Sequence, residues 1–229
     1  MIKKIKNACI IGKPYSITDL DNAQRALASI DIRKKIKILI IDDEGFQHAS
    51  KLKNEGYDIT WIADLPDLDM ASEYPIIISD IKGVRKDYDS EKGGLILVAN
   101  LKNKYPFKQY AVYSGNDYAI DIHNFLDGVQ TIPKTTIEID QWRAYINALL
   151  EKTADPKETW KKLRDFLLKK DVSLLQVLDL ESSFVGTYIE SPNELRDFPS
   201  KKNFPNLKDD IRDIIRGVIA GLILKAIEL

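Results

Sequence analysis

Between residues 36 and 151, five short apolar runs alternate with segments of helical spacing, and few architectures accept that pattern. The runs are 36–41, 57–62, 75–79, 109–113 and 129–132. They are strand-length and rich in Ile, Val and Tyr, which marks them as buried strands. The segment 45–54 carries Phe46, Ala49 and Leu52 at helical spacing and stops at Gly56. A short helix or loop is expected over 67–73, and helices over 94–104, 117–126 and 138–151. Strand–helix alternation of this kind predicts an α/β fold, a doubly wound five-stranded parallel sheet with right-handed crossovers.

The flanks break the alternation. Residues 1–34 form an N-terminal extension, with a short strand expected over 8–12 and a helix capped by Thr18 over 18–30. The GKPYS segment around Lys13 lacks the upstream glycine of a phosphate loop and has proline where that loop needs Ser or Thr, so it is set aside. Residues 35–152 hold the alternating unit. A linker is expected over 153–156, inside an all-α region spanning 153–229, with helices over 157–169, 173–180 and 207–227. A loop with Pro192, Pro199 and Pro205 separates the last two.

The net charge of -1 gives no electrostatic case for nucleic acid or an anionic membrane. Cys9 is the single cysteine, which rules out a disulfide within the chain and fits a reducing compartment. The most apolar stretch, 217–224, is well short of the roughly 20 residues a bilayer helix needs. The N-terminal apolar run is too short for a signal peptide. A soluble, cytoplasmic protein without a membrane span is expected.

The first apolar run ends in Asp42 and Asp43, and the third in Asp80. On neighbouring parallel strands these carboxylates meet at the carboxyl edge of the sheet, where open α/β sheets bind ligands. Their mutual repulsion calls for a divalent cation. The fourth run ends in Tyr113-Ser114-Gly115 and the fifth in Ile132-Pro133-Lys134, adding a hydroxyl and an ammonium to the same edge.

This order of residues resembles the response-regulator receiver domain of two-component signalling. The resemblance covers residues 35–150. It rests on the Asp42-Asp43 pair, Asp80 after IIIS, Ser114 closing AVYS, Lys134, and the loop DIKGVRKDYDSEKGG that ends in glycine before a helix. That loop is longer than the family's usual one, and the fifth run, VQTIPK, lacks the aromatic the family carries there. The resemblance implies that Asp80 accepts a phosphoryl group. Asp42, Asp43, Asp80 and the backbone carbonyl of Lys82 would hold Mg²⁺. Lys134 would pair with a phosphate oxygen, and Ser114 would hydrogen-bond the phosphoryl group. It also implies a histidine kinase or phosphotransfer protein as partner, and a switching face after Ser114 with Tyr113 and Tyr118 on or near it.

Two other readings remain open: a pseudo-receiver that binds or assembles without phosphorylation, and a small Mg²⁺-dependent phosphotransfer enzyme. Each residue also has a plainer reading. An Asp after an apolar run can cap a helix, Ser114-Gly115 can be a turn, and Lys134 can be solvated. His48 and His123 are isolated and read as surface residues. Trp61, Trp142 and Trp160 read as core. The wide apolar face of the last helix, from Ile211 through Ile215 and Ile219 to Leu222, reads as packing against Trp160, Leu163 and Leu167, or as a homo-oligomer or partner interface.

Overall fold

Successive residues of a strand face opposite sides, so a run that is apolar throughout must be covered on both sides. The computed structural model describes residues 14–21, 32–114, 126, 128–134 and 138–226, and it has that arrangement. The strands are β1 (Lys37–Ile41), β2 (Asp58–Ile62), β3 (Ile76–Asp80), β4 (Gln109–Ser114) and β5 (Gln130–Pro133). They form one parallel sheet in the order β2-β1-β3-β4-β5. This is the flavodoxin-like doubly wound order that receiver domains share. The strand order reverses between β1 and β3, with β2 added on one side and β3, β4 and β5 on the other, which opens a crevice at their carboxyl ends.

The helices of this half are α1 (Ala49–Asn54), α2 (Gly93–Lys104) and α3 (Ile139–Ala154). One sheet face, with Ile38, Ile40, Ile76, Ile78 and Tyr113, packs on Leu52 of α1 and on Trp142 and Ile146 of α3. The other, with Leu39, Ile41, Ile77 and Val112, packs on Leu95, Val98 and Leu101 of α2. The isoleucines at the centre of β1 and β3 are fully buried. Each contributes roughly 2 kcal/mol through apolar burial.

The remaining helices, α4 (Pro156–Lys169), α5 (Leu174–Glu190) and α6 (Asp209–Ala226), enclose a separate core. At its centre Trp160 stacks on Phe184 with ring centroids 5.0 Å apart. Ile211, Ile215, Ile219 and Leu222 of α6 turn inward onto Trp160, Leu163 and Leu167, as the plainer reading of that face expected. The N-terminal segment joins this core. Leu20 is fully buried in it, and the Tyr15 N–H donates to Ser182 Oγ at 3.1 Å.

The expected linker over 153–156 is instead a corner at Asp155 alone. Thr153 still belongs to α3 and donates to the Leu149 carbonyl at 2.7 Å. The Asp155 carboxylate accepts from the Lys157 N–H at 2.7 Å, with Pro156 in the first turn of α4. Asp and Pro read as loop residues, yet they are equally the residues that begin a helix. The helix expected over 173–180 runs on to Glu190 because Val177, Leu180, Phe184, Val185 and Tyr188 keep one face buried; it passes through Gly186, over which the Tyr15 ring packs. Conversely, the helix expected from 45 starts only at Ala49, after Gly45 takes a positive φ of 98°. Residues 68–71 form a 3-10 turn. The expected strand at 8–12, the helix beyond residue 21, the helix over 117–126, and Cys9, Lys13, Tyr118 and His123 lie outside the described residues.

The Gly93-Gly94 pair lets α2 start hard against β3. A Cβ on Gly94 would stand 1.8 Å from the Asp80 carbonyl oxygen, and one on Gly93 would stand 2.2 Å from that of Val84. Alanine normally favours a helix over glycine by about 1 kcal/mol. Here the clash reverses the sign. Gly94→Ala is expected to lower stability by about 1–3 kcal/mol in chemical denaturation; a neutral or stabilising effect would contradict this packing.

Candidate functional site

Register and alternation bring the acids together. Asp42 follows β1 with the parity of Ile38 and Ile40, and Asp80 ends β3 with the parity of Ile76 and Ile78. Because Ile41 pairs with Ser79, Asp42 stands beside Asp80 at the β1–β3 crevice. Asp80 in turn pairs with Tyr113. Lys134 follows β5 with the parity of Ile132, which faces the same core. Asp42, Asp43 and Asp80 each offer a carboxylate oxygen, and these oxygens lie within 4.8 Å of one another. Asp42 and Asp80 are buried, whereas Asp43 is exposed at the rim.

Lys134 places a cation against the two buried acids. Its Nζ donates to Asp80 Oδ2 at 2.7 Å and to Glu44 Oε2 at 3.1 Å, and lies 3.8 Å from Asp42 Oδ2. Burial alone would lower its pKa, but the hydrogen bond and charge of Asp80 push it up to about 12, so it is charged at neutral pH. Burial also dominates at Asp80, where it raises the carboxyl above the ordinary carboxylate range despite the Lys134 hydrogen bond. The pair's attraction thus outweighs desolvation at the lysine and not at the aspartate. Asp80 Oδ1 is further held by the Ile81 N–H at 2.7 Å. Asp42 is fixed on both oxygens: Oδ1 accepts from the Glu44 N–H at 2.9 Å, and Oδ2 accepts from the Tyr113 hydroxyl.

The long loop after Asp80 is ordered by Arg85, which takes a positive φ of 49°. Its guanidinium donates to the carbonyls of Leu65 and Pro66 at 2.9 and 3.2 Å and forms a two-pronged pair with Asp87. It also stacks over Tyr88 with 3.7 Å from Cζ to the ring centroid. Its backbone N–H donates to Asp64 at 3.0 Å. The loop backbone passes so close to the acids that a Cβ on Gly83 would overlap the Asp43 carboxylate. Lys82 precedes that glycine, and its side chain turns away to pair with Glu91. Lys86 reaches back to Asp43 at 3.1 Å.

Ser114 is the last residue of β4 and pairs with Pro133, one position beyond the partner of Asp80. Two aromatics depart from the sequence reading. Trp61 is 43% exposed rather than core, and its indole N–H donates to the Asp42 carbonyl at 2.9 Å. Asp42 directly follows β1, which pairs with β2, so the end of edge strand β2 lies within reach of the site. Tyr113, expected on or near the switching face, is buried beneath the site. Its shared parity with Ala111 was the available signal, since that parity faces the α1–α3 core.

The donor set is all oxygen, clustered and anionic, which is the chemistry of a hard divalent cation such as Mg²⁺. The residues therefore fit that ion: Asp42, Asp43 and Asp80 supply carboxylates, and the backbone at Lys82-Gly83 lies alongside.

No protein-family model matches the chain, and no curated protein matches it. Among solved structures it is similar to NtrX from Brucella abortus, at 21% identity and a TM-score of 0.44, over 57% of this chain and 29% of that one. It is also similar to the isolated receiver domain of that NtrX, at 23% identity and a TM-score of 0.41, over 50% of this chain and 98% of that domain. A response regulator receiver domain protein from Clostridium thermocellum aligns at 18% identity and a TM-score of 0.42, over 51% and 95% of the two chains.

A carboxyl whose pKa is raised by folding binds protons more readily folded than unfolded. Stability is then lost as pH rises from the unfolded value through the folded one. Above that window, ionised Asp80 costs the fold free energy. Asp80→Asn is expected to melt above wild type at pH 7 in a chelator, with the gap closing as pH falls below the carboxylate range. A lower melting temperature for the variant at pH 7 would show that the Lys134 pairing outweighs burial.

Proposed function

We propose that the chain is a receiver-like signalling protein that accepts a phosphoryl group on Asp80. The observation that carries this reading is Lys134 Nζ standing 2.7 Å from Asp80 within a cluster of three carboxylates. A metal site alone does not need a half-buried lysine against its acids; a site that receives an anion does.

In this reading the donor is a phosphohistidine on a histidine kinase or phosphotransfer protein. An Asp80 carboxylate oxygen attacks phosphorus; the O–P bond forms, the P–N bond breaks, and the leaving imidazole nitrogen takes a proton from solvent. Lys134 transfers its hydrogen bond from Asp80 to a phosphoryl oxygen. Asp42 and Asp43, with Asp80 and the Lys82 carbonyl, would hold Mg²⁺, which when bound neutralises charge on the phosphoryl oxygens. Ser114 would donate its hydroxyl to the phosphoryl group. The chemistry ends at the acyl phosphate and its hydrolysis, so the protein is a switch and not a dedicated enzyme. Its output would pass to the α4–α6 bundle, which follows α3 after the single corner residue Asp155, or to a partner, including a second copy docked through α6.

One observation favours the alternative of a binding or assembly module without phosphorylation. Asp80 is 3% exposed, and its two oxygens are already engaged by Lys134 and Ile81. The cluster is thus satisfied without a phosphoryl group.

The two readings separate on incubation with Mg²⁺ and a small-molecule phosphodonor, followed by intact mass. A single acid-stable, hydroxylamine-labile phosphoryl adduct on wild type, absent from Asp80→Ala and abolished by chelator, is the expected result. No adduct on wild type would favour the assembly module, and sustained turnover of a phosphoester would favour an enzyme.

A further inference from the structure

Tyr113 lies on β4, and Asp42 follows β1, with β3 between them. Two strand spacings are roughly 10 Å, so the phenol spans the sheet beneath Asp80 to reach Asp42 with its hydroxyl. The same ring carries the Lys134 ammonium 5.5 Å from its centroid, a cation–π distance. The ring makes a T-shaped contact with Trp142 of α3 at 5.4 Å, and Phe46 makes another with Trp142 at 4.8 Å. Tyr113 is fully buried, and burial together with the Asp42 hydrogen bond raises its pKa, so it is a permanent donor.

We infer that Tyr113 is a positioning residue for the cation site: its hydroxyl fixes the rotation of the Asp42 carboxylate, and its ring, braced by Trp142, supports Lys134. The inference rests on the phosphoryl-acceptor reading, and it ties the site to α3 by a side chain on β4 instead of the missing aromatic on β5. The Glu44 N–H holds Asp42 Oδ1 and Tyr113 holds Oδ2, so the carboxylate plane has one orientation. Donors that orient a metal-bound carboxylate in this way raise affinity because the ligand pays no rotational freedom on binding, and removing one costs about 10–100-fold in metal affinity.

Tyr110 supplies an internal control. It is a second buried tyrosine on the same strand, facing the opposite core, and its hydroxyl donates to the carbonyls of Leu101 and Tyr105 at 2.9 and 2.8 Å. Tyr110→Phe and Tyr113→Phe each remove one buried hydroxyl and keep the ring, so both lower the melting temperature in chelator.

Mg²⁺ titration calorimetry on the full chain distinguishes them. Tyr113→Phe is expected to raise the Mg²⁺ dissociation constant about tenfold or more, while Tyr110→Phe leaves it at the wild-type value. Unchanged or tighter binding by Tyr113→Phe, or an equal loss in both variants, would overturn the positioning role and leave the metal-site reading intact. Absence of Mg²⁺ binding by wild type would overturn the metal site itself, and the positioning role with it.

Discussion

The contact between Lys134 and Asp80 is the constraint on which the site depends. Two buried carboxylates within 4.8 Å repel by about 3 kcal/mol at an effective dielectric near 20. One half-buried ammonium, 2.7 Å from Asp80 and 3.8 Å from Asp42, offsets that repulsion without any bound ion. The apolar sheet behind it tolerates what remains, since two fully buried isoleucines contribute as much as the repulsion costs. The acids are therefore held close by the fold rather than by one another, and the charge balance at the crevice is poised to change when an anion or a cation arrives.

The loop and the glycine pair complete that arrangement. Arg85 draws residues 85–88 onto the carbonyls of Leu65 and Pro66, which fixes the course of an otherwise long, polar loop. Gly93 and Gly94 then let α2 begin against the backbone of β3. Tyr113 and Trp142 extend the site in the other direction, to α3, and α3 meets the C-terminal bundle at Asp155. Lys162 adds a second tie near the same end of the sheet by donating to the Lys108 carbonyl at 2.8 Å, just before β4 begins.

The sheet was legible in the sequence because five strand-length apolar runs alternate with helical segments, the central three being buried on both faces, and each strand lies within one residue of its expected position. The acids and Lys134 were legible for the same reason: alternation and register fix their side once the strands are known. Less legible were features in which one residue type serves two ends. Asp155-Pro156 signals a loop and a helix start alike, and the structure uses the second. The helix expected over 173–180 instead continues to Glu190, and a distant tyrosine packs over its Gly186. Trp61 and Tyr113 were misplaced because a local pattern tells which face an aromatic takes, not which neighbour its polar tip meets across two strands. The anchoring of the long loop by Arg85 had no local signal, since its partners at Leu65 and Pro66 are far away in sequence.

The central claim is that Asp80 receives a phosphoryl group between the acids and Lys134. A crystal structure of the full chain with Mg²⁺ and beryllium fluoride tests it directly. The account expects beryllium bonded to an Asp80 carboxylate oxygen, Lys134 Nζ on a fluoride, and Mg²⁺ coordinated by Asp42, Asp43 and Asp80. Lys134 still bridging Asp80 and Glu44, with no beryllium on Asp80 at saturating fluoride, would contradict it.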